Sequence, residues 1–187
     1  TPKTDDPAFA TTQNVIVADN RVAALAALAK AAAGGYHTLL LTTHVEGEAA
    51  QVAKFAVALA KEVRETGNPI AAPACLILGG ETTVTLGTNP GKGGRNQELA
   101  LAAALALQSL PGVTIVALAT DGTDGPTDSA GSMADSGTVA RGAAAGLSAT
   151  DHLRAHNAYP FLQATHDLLR TGPTQTNVND LIFVFIE

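Results

Sequence analysis

A chain of 187 residues, 46% of them hydrophobic, can bury one sizeable core, but with 4% aromatics and no Trp that core must be built from Ala, Leu, Val and Ile. The net charge of −6 argues against a nucleic-acid partner, whose phosphates would be repelled, and the longest apolar runs are far short of a membrane span. The single cysteine, Cys75, excludes an internal disulfide and fits a reducing, cytoplasmic setting.

The residues 1–12 read as a polar lead-in without the apolar stretch of a signal peptide. Asn14 to Ala18 is expected to be a strand. Asp19-Asn20 can cap an alanine-rich helix over Arg21 to Ala33, and Gly34-Gly35 ends it. A strand at Thr38 to Thr42 is followed by a helix from Glu46 to Glu65, stopped by Gly67 and Pro69. Ala74 to Leu78 and Thr82 to Leu86 read as two short strands joined through Gly79-Gly80, hence as a hairpin. A helix over Asn96 to Leu107 leads to a strand at Val113 to Ala119. Helices are expected near Val139 to Ala145, Asp151 to His156 and Pro160 to Leu169, with Leu181 to Ile186 as the closing strand. Strands interleaved with helices imply a layered, Rossmann-like α/β domain over 1–187 with a mostly parallel, possibly mixed sheet.

Three polar clusters interrupt this pattern. In the first, Gly87 to Gly94 carries four glycines, a proline and Lys92, and Arg95 opens the next helix. Glycine amides and a helix N-terminus can cradle a phosphate or small carboxylate, with Lys92 and Arg95 completing the site. The loop matches neither GxxxxGK[ST] nor GxGxxG, so a tight connection is the competing reading. In the second, Asp121, Asp124 and Asp128 follow a strand on a loop rich in glycine. They could hold Mg²⁺ or position a hydroxyl, or they could simply form turns. The third, Thr171 to Asp180, is a long polar connection that is either functional or occupied with capping. His152 and His156 share an i, i+4 helix face without a third ligand nearby, which favours capping or solvent-facing roles over zinc. Lys54, Lys61, Glu62 and Arg64 read as a solvated helix face.

Taken together, GGETTVT, GKGGRNQE, ATDGTDGPTD and TGPTQTNVNDL resemble the MOFRL region, the C-terminal part of the glycerate 2-kinases long known as hydroxypyruvate reductases. The match runs from about residue 75 to 187, and the segment before it, including Asn14 to Val17 and Glu46 to Ala49, is similar to what precedes that region in the family. Gly87 to Pro90 is a modest, insertion-like departure. The resemblance implies ATP- and Mg²⁺-dependent phosphorylation of D-glycerate to 2-phosphoglycerate in a cleft between two domains. It implies that Arg95 matches the arginine given a catalytic role, and that the family's catalytic lysine belongs to an N-terminal domain this chain lacks. A chain beginning at Thr1 is then most simply a fragment, inactive alone.

The candidate residues that bind substrate or phosphate are Gly80, Glu81, Lys92, Gly93, Gly94 and Asn96 from the first cluster. Thr120, Asp121, Gly122 and Asp124 come from the second, and Thr174, Asn177 and Asn179 from the third. Asp121, Asp124 and Asp128 are the metal candidates. The competing functions are a nicotinamide-dependent hydroxypyruvate reductase, for which no dinucleotide fingerprint exists, and a non-catalytic binding or assembly module.

Overall fold

A computed structural model describes residues 3, 6–13 and 15–187. After a short 3₁₀ turn at Pro7–Phe9 come α1 (Asn20–Ala33), β1 (His37–Val45), α2 (Ala49–Thr66), β2 (Ala74–Gly80), α3 (Arg95–Leu107), β3 (Val113–Ala119), β4 (Gly131–Asp135), α4 (Thr138–Ala144), α5 (Ala149–Arg154), α6 (Ala158–Ala164), β5 (Leu168–Leu169) and β6 (Asp180–Ile186). The helices begin where local chemistry supports them. Asp19 accepts the Val22 N–H at 2.9 Å and caps α1, and Ser148 accepts the Asp151 N–H and caps α5. Gly67, at φ 75°, closes α2 in the left-handed conformation.

The strand order is β1-β2-β6-β3-β4-β5. This corrects the expectation of a mostly parallel sheet. Only β1 and β2 pair in parallel, whereas β2–β6, β6–β3, β3–β4 and β4–β5 are antiparallel. The cause is β6, which enters between β2 and β3 and runs against both, Leu76 facing Val184 and Ile115 facing Val184 from the other side. With β1 on one edge of β2 and β6 on the other, no edge remains for a hairpin partner. The expected strand Thr82 to Leu86 therefore does not form. Thr83 instead makes an isolated parallel bridge to Glu48, and its N–H donates to the Gly47 carbonyl at 2.9 Å. The expected strand at Asn14 to Ala18 is likewise absent. Asn14 lies outside the described residues, and Val15, Ile16 and Val17 are exposed without a ladder partner.

Side-chain alternation in the strands separates two cores. Leu76, Leu78, Ile115, Val184 and Ile186 face α2 and α3, and Cys75 and Ile77 face Ala24 of α1 on the opposite side. In α2 the buried positions Ala49, Ala53, Ala56, Val57, Ala60 and Val63 follow the helical repeat, and Phe55 points outward. Leu101 of α3 packs with Ala149, Ala158, Phe161 and Leu162 of α5 and α6. Two further differences have local causes. β4, with no β-branched residue, is held by its ladder to β3 rather than by propensity. The helix expected to reach Leu169 stops at Ala164, because His166 turns left-handed at φ 62° and Leu168–Leu169 pairs with β4.

β1, β2 and β3 run in one direction, so their carboxyl ends, the start of β6 and the N-terminus of α3 gather on one edge of the sheet.

Candidate active site

Arg95, the first residue of α3, is gripped on that edge by two acids. Its Nε donates to Asp180 Oδ2 at 2.6 Å and its Nη2 to Asp180 Oδ1 at 2.9 Å, the planar fork matching the carboxylate. Its Nη1 lies 3.0 Å from Glu81 Oε1. Asp180's side chain is 4% exposed and Glu81's is 50% exposed, so one carboxylate is a buried support and the other is open to solvent. A guanidinium has five N–H donors, and the two bonds to Asp180 leave three free, two on Nη1 beside Glu81 and one on Nη2. The hydrogen bond to Asp180 outweighs burial and raises Arg95's pKa above its ordinary value, so the cation is permanent.

Arg95 forms part of the wall of a pocket of about 500 Å³. Glu81, Glu98 and His156 add ionisable groups, while Val84, Leu86, Pro90 and Pro126 give it an apolar side. Gly93 and Gly94 also line it, and among the described residues their N–H groups meet no acceptor. Thr82, 4% exposed, has a buried Oγ1 without a hydrogen-bond partner in the same wall. Arginine N–H groups and spare backbone amides are donors an oxyanion needs. A second hollow of about 470 Å³ adjoins it, with Glu81 and Thr83 shared between the two and Gly80 and Asn179 on its far wall.

Several of the candidates read from the sequence serve the scaffold. Asp124, 1% exposed, caps α3 from a distance and accepts the N–H groups of Asn96 at 3.1 Å and Gln97 at 2.9 Å. Burial raises its pKa, against the opposing effect of those hydrogen bonds. The helix N-terminus expected to receive an anion is thus partly filled by the protein's own carboxylate. Gly94 is required there, because a Cβ would overlap the Asp124 carboxyl group. Asn96's amide also donates to Asp124, at 3.2 Å. Asp121 folds onto the N–H and hydroxyl of Thr123 in a local turn. Asp128 receives Tyr159 Oη at 2.6 Å and Arg170 Nε at 3.0 Å. Among the described residues no group of three or more His, Cys, Asp or Glu could hold a metal ion, and the three aspartates, the metal candidates of the sequence, do not come together as one cluster. They are separated because each is drawn to a different partner.

Lys92 does not point at Arg95 but lies over the Tyr159 ring, its Nζ 3.9 Å from the centroid. Gly80, at φ 144°, passes so close to Val45 that only glycine fits. The third cluster zips onto the second: Thr120 N donates to the Asn179 carbonyl at 3.1 Å, Thr174 N to the Asp121 carbonyl at 3.1 Å, and Asn177 Oδ1 accepts Asn179 N at 3.1 Å. Gly122 packs against Gly172 at the same junction. Sequence reasoning does not place Asp180, Glu98 or Thr82 among the site residues, and it reads His156 as a capping or solvent-facing residue. Glu98 carried a usable signal, since i, i+3 spacing puts it on Arg95's side of the helix. Asp180 carried none, because only the antiparallel entry of β6 brings it to Arg95.

Residues 74–180 match the MOFRL family. A protein of Pyrococcus horikoshii named glycerate 2-kinase is 40% identical over 92% of this chain and 39% of its own length. A protein of Agrobacterium vitis, provisionally named hydroxypyruvate reductase, is 40% identical over 91% of this chain and 39% of its own. The crystal structure of a glycerate kinase from Thermotoga maritima superposes with a TM-score of 0.90 at 39% identity, covering 94% of this chain and 42% of that one. The chain spans about two fifths of the length of these relatives.

Proposed function

The chain belongs to the MOFRL family, and from that premise we propose that it is the α/β part of a glycerate 2-kinase, transferring the γ-phosphoryl group of ATP to D-glycerate. The observation that carries the reading is Arg95, held as a rigid fork by Asp180 with three N–H groups left over at the pocket of about 500 Å³. Phosphoryl transfer depends on positioning and on neutralising charge, and a pre-aligned guanidinium does both without reorganising.

The pocket fits the groups the reaction brings. Its unpaired Gly93 and Gly94 amides and the Arg95 guanidinium suit phosphate or carboxylate oxygens, and its apolar side suits a nucleotide base. ATP supplies the phosphoryl group, and Mg²⁺ spreads its charge. Mg²⁺ takes few protein ligands, and half-exposed Glu81 is the carboxylate placed to offer one. Arg95 then orients the anionic substrate, and Asp180 keeps the guanidinium plane fixed. We assign residues 1–187 to one α/β unit and the other wall of the cleft, with the family's lysine, to a further N-terminal domain.

The test is product analysis with ATP, Mg²⁺ and D-glycerate. The chain joined to that further domain is expected to form 2-phosphoglycerate, and the 187-residue chain alone to form none. Turnover of about 1 s⁻¹ or more by the chain alone would show the site to be complete within it.

A further inference from the structure

His156 and Glu98 form a pair in the wall of the pocket that holds Arg95, and the phosphate-binding elements do not account for it. His156 Nδ1 lies 3.0 Å from both oxygens of Glu98, whose side chain is 9% exposed. Glu98 belongs to the first turn of α3, one turn from Arg95, so the two face the same space. A carboxylate on Nδ1 fixes the imidazole tautomer: Nδ1 carries the proton and Nε2 is left with a lone pair. Among the described residues Nε2 has no partner, and the His156 side chain is 26% exposed.

The backbone holds this imidazole in place. His156 sits left-handed at φ 49°, a conformation that side-chain-bearing residues adopt at a cost. The segment that bears it is stitched to the glycine loop by Gly91 N to the Ala155 carbonyl at 2.8 Å, Lys92 N to Asn157 Oδ1 at 2.8 Å and Tyr159 N to the Lys92 carbonyl at 3.0 Å. A turn residue needed only to end α5 could be glycine or asparagine. A histidine that lines a pocket, with one nitrogen tied to a buried carboxylate and the other without a partner, is the arrangement of a proton acceptor.

Resting on the kinase reading, we propose that His156 is the general base of this half-site and Glu98 its positioning residue. Nε2 takes the proton of the substrate hydroxyl as that oxygen bonds to the γ-phosphorus. The bond from phosphorus to the bridging oxygen breaks, and its electron pair leaves with the nucleoside diphosphate. The proton then passes from Nε2 to solvent. The charged groups around the imidazole are Glu98 of α3, Arg95 and Glu81 in the same pocket, and Glu48 before α2.

Two measurements test this. On the 187-residue chain, ¹⁵N NMR of the histidine rings is expected to show neutral His156 as the Nδ1–H tautomer and Glu98→Gln to shift it toward Nε2–H. The Nε2–H tautomer in the unsubstituted chain overturns the proposal. In the full-length enzyme, His156→Gln is expected to lower kcat by about 10²-fold and to abolish the acid limb of the kcat/KM–pH profile. Glu98→Gln is expected to shift that limb. A full-length wild type that forms no product at all overturns the kinase reading and this proposal with it. An active wild type with an unchanged rate and acid limb in folded His156→Gln overturns this proposal alone.

Discussion

At the scale of single residues the site depends on how one cation is shared. Arg95 is the permanent positive charge of the pocket, yet two of its N–H groups are already committed to Asp180 and its Nη1 is ion-paired with Glu81. Arg95→Ala therefore removes charge stabilisation and also leaves Asp180, 3% exposed, as a buried carboxylate without its partner. In the full-length enzyme kcat/KM is expected to fall by about 10²- to 10³-fold, with an accompanying loss of thermal stability. Arg95→Lys should recover less than about tenfold, because an ammonium cannot serve both Asp180 oxygens and still reach a ligand. Adding Asp180→Asn to Arg95→Ala should restore stability and leave activity low. Steady-state kinetics and thermal melts of the three variants check this, and near wild-type turnover in Arg95→Ala would sink the assignment.

At the scale of elements, α3 shows how a loop distant in sequence completes a helix. Its N-cap residue is Gly94, which has no side chain to offer, and Asp124 supplies the missing acceptor from the loop after β3. Asp124→Asn keeps the shape but turns one acceptor into a donor that faces the Asn96 or Gln97 N–H. The variant is expected to lose about 2 kcal/mol and to melt about 4–8 °C lower. An unchanged melting temperature would show that water can replace the cap. The pairing leaves the helix axis closed to the anion of the proposed site. Among the described residues free donors remain to its side, at Gly93, Gly94 and the Arg95 guanidinium.

At the scale of the whole molecule, β6 decides the architecture. It is the closing strand in sequence and an inner strand in space, with Leu181, Ile182, Val184 and Ile186 buried between β2 and β3. Deleting residues 180–187 would open two long ladders at once, remove Asp180 from Arg95 and expose both cores. The truncated chain is expected to be aggregated or unfolded by gel filtration and far-UV circular dichroism. A soluble monomer with a cooperative melt would refute this role for β6. Periodicity, caps and turn residues made the three longest helices, the strands β1, β2, β3 and β6 and the three polar clusters legible in the chain, because each is written in neighbouring residues. Local pattern could not reveal that Gly131–Asp135 is a strand, that Thr82 to Leu86 is not, or that β6 runs against both its neighbours. Nor could it reveal that Asp124 faces inward to cap α3 while Asp128 pairs with Arg170. Those outcomes depend on which sheet edges are already occupied and which partner each carboxylate finds, and residues far apart in sequence settle both only once the chain has folded.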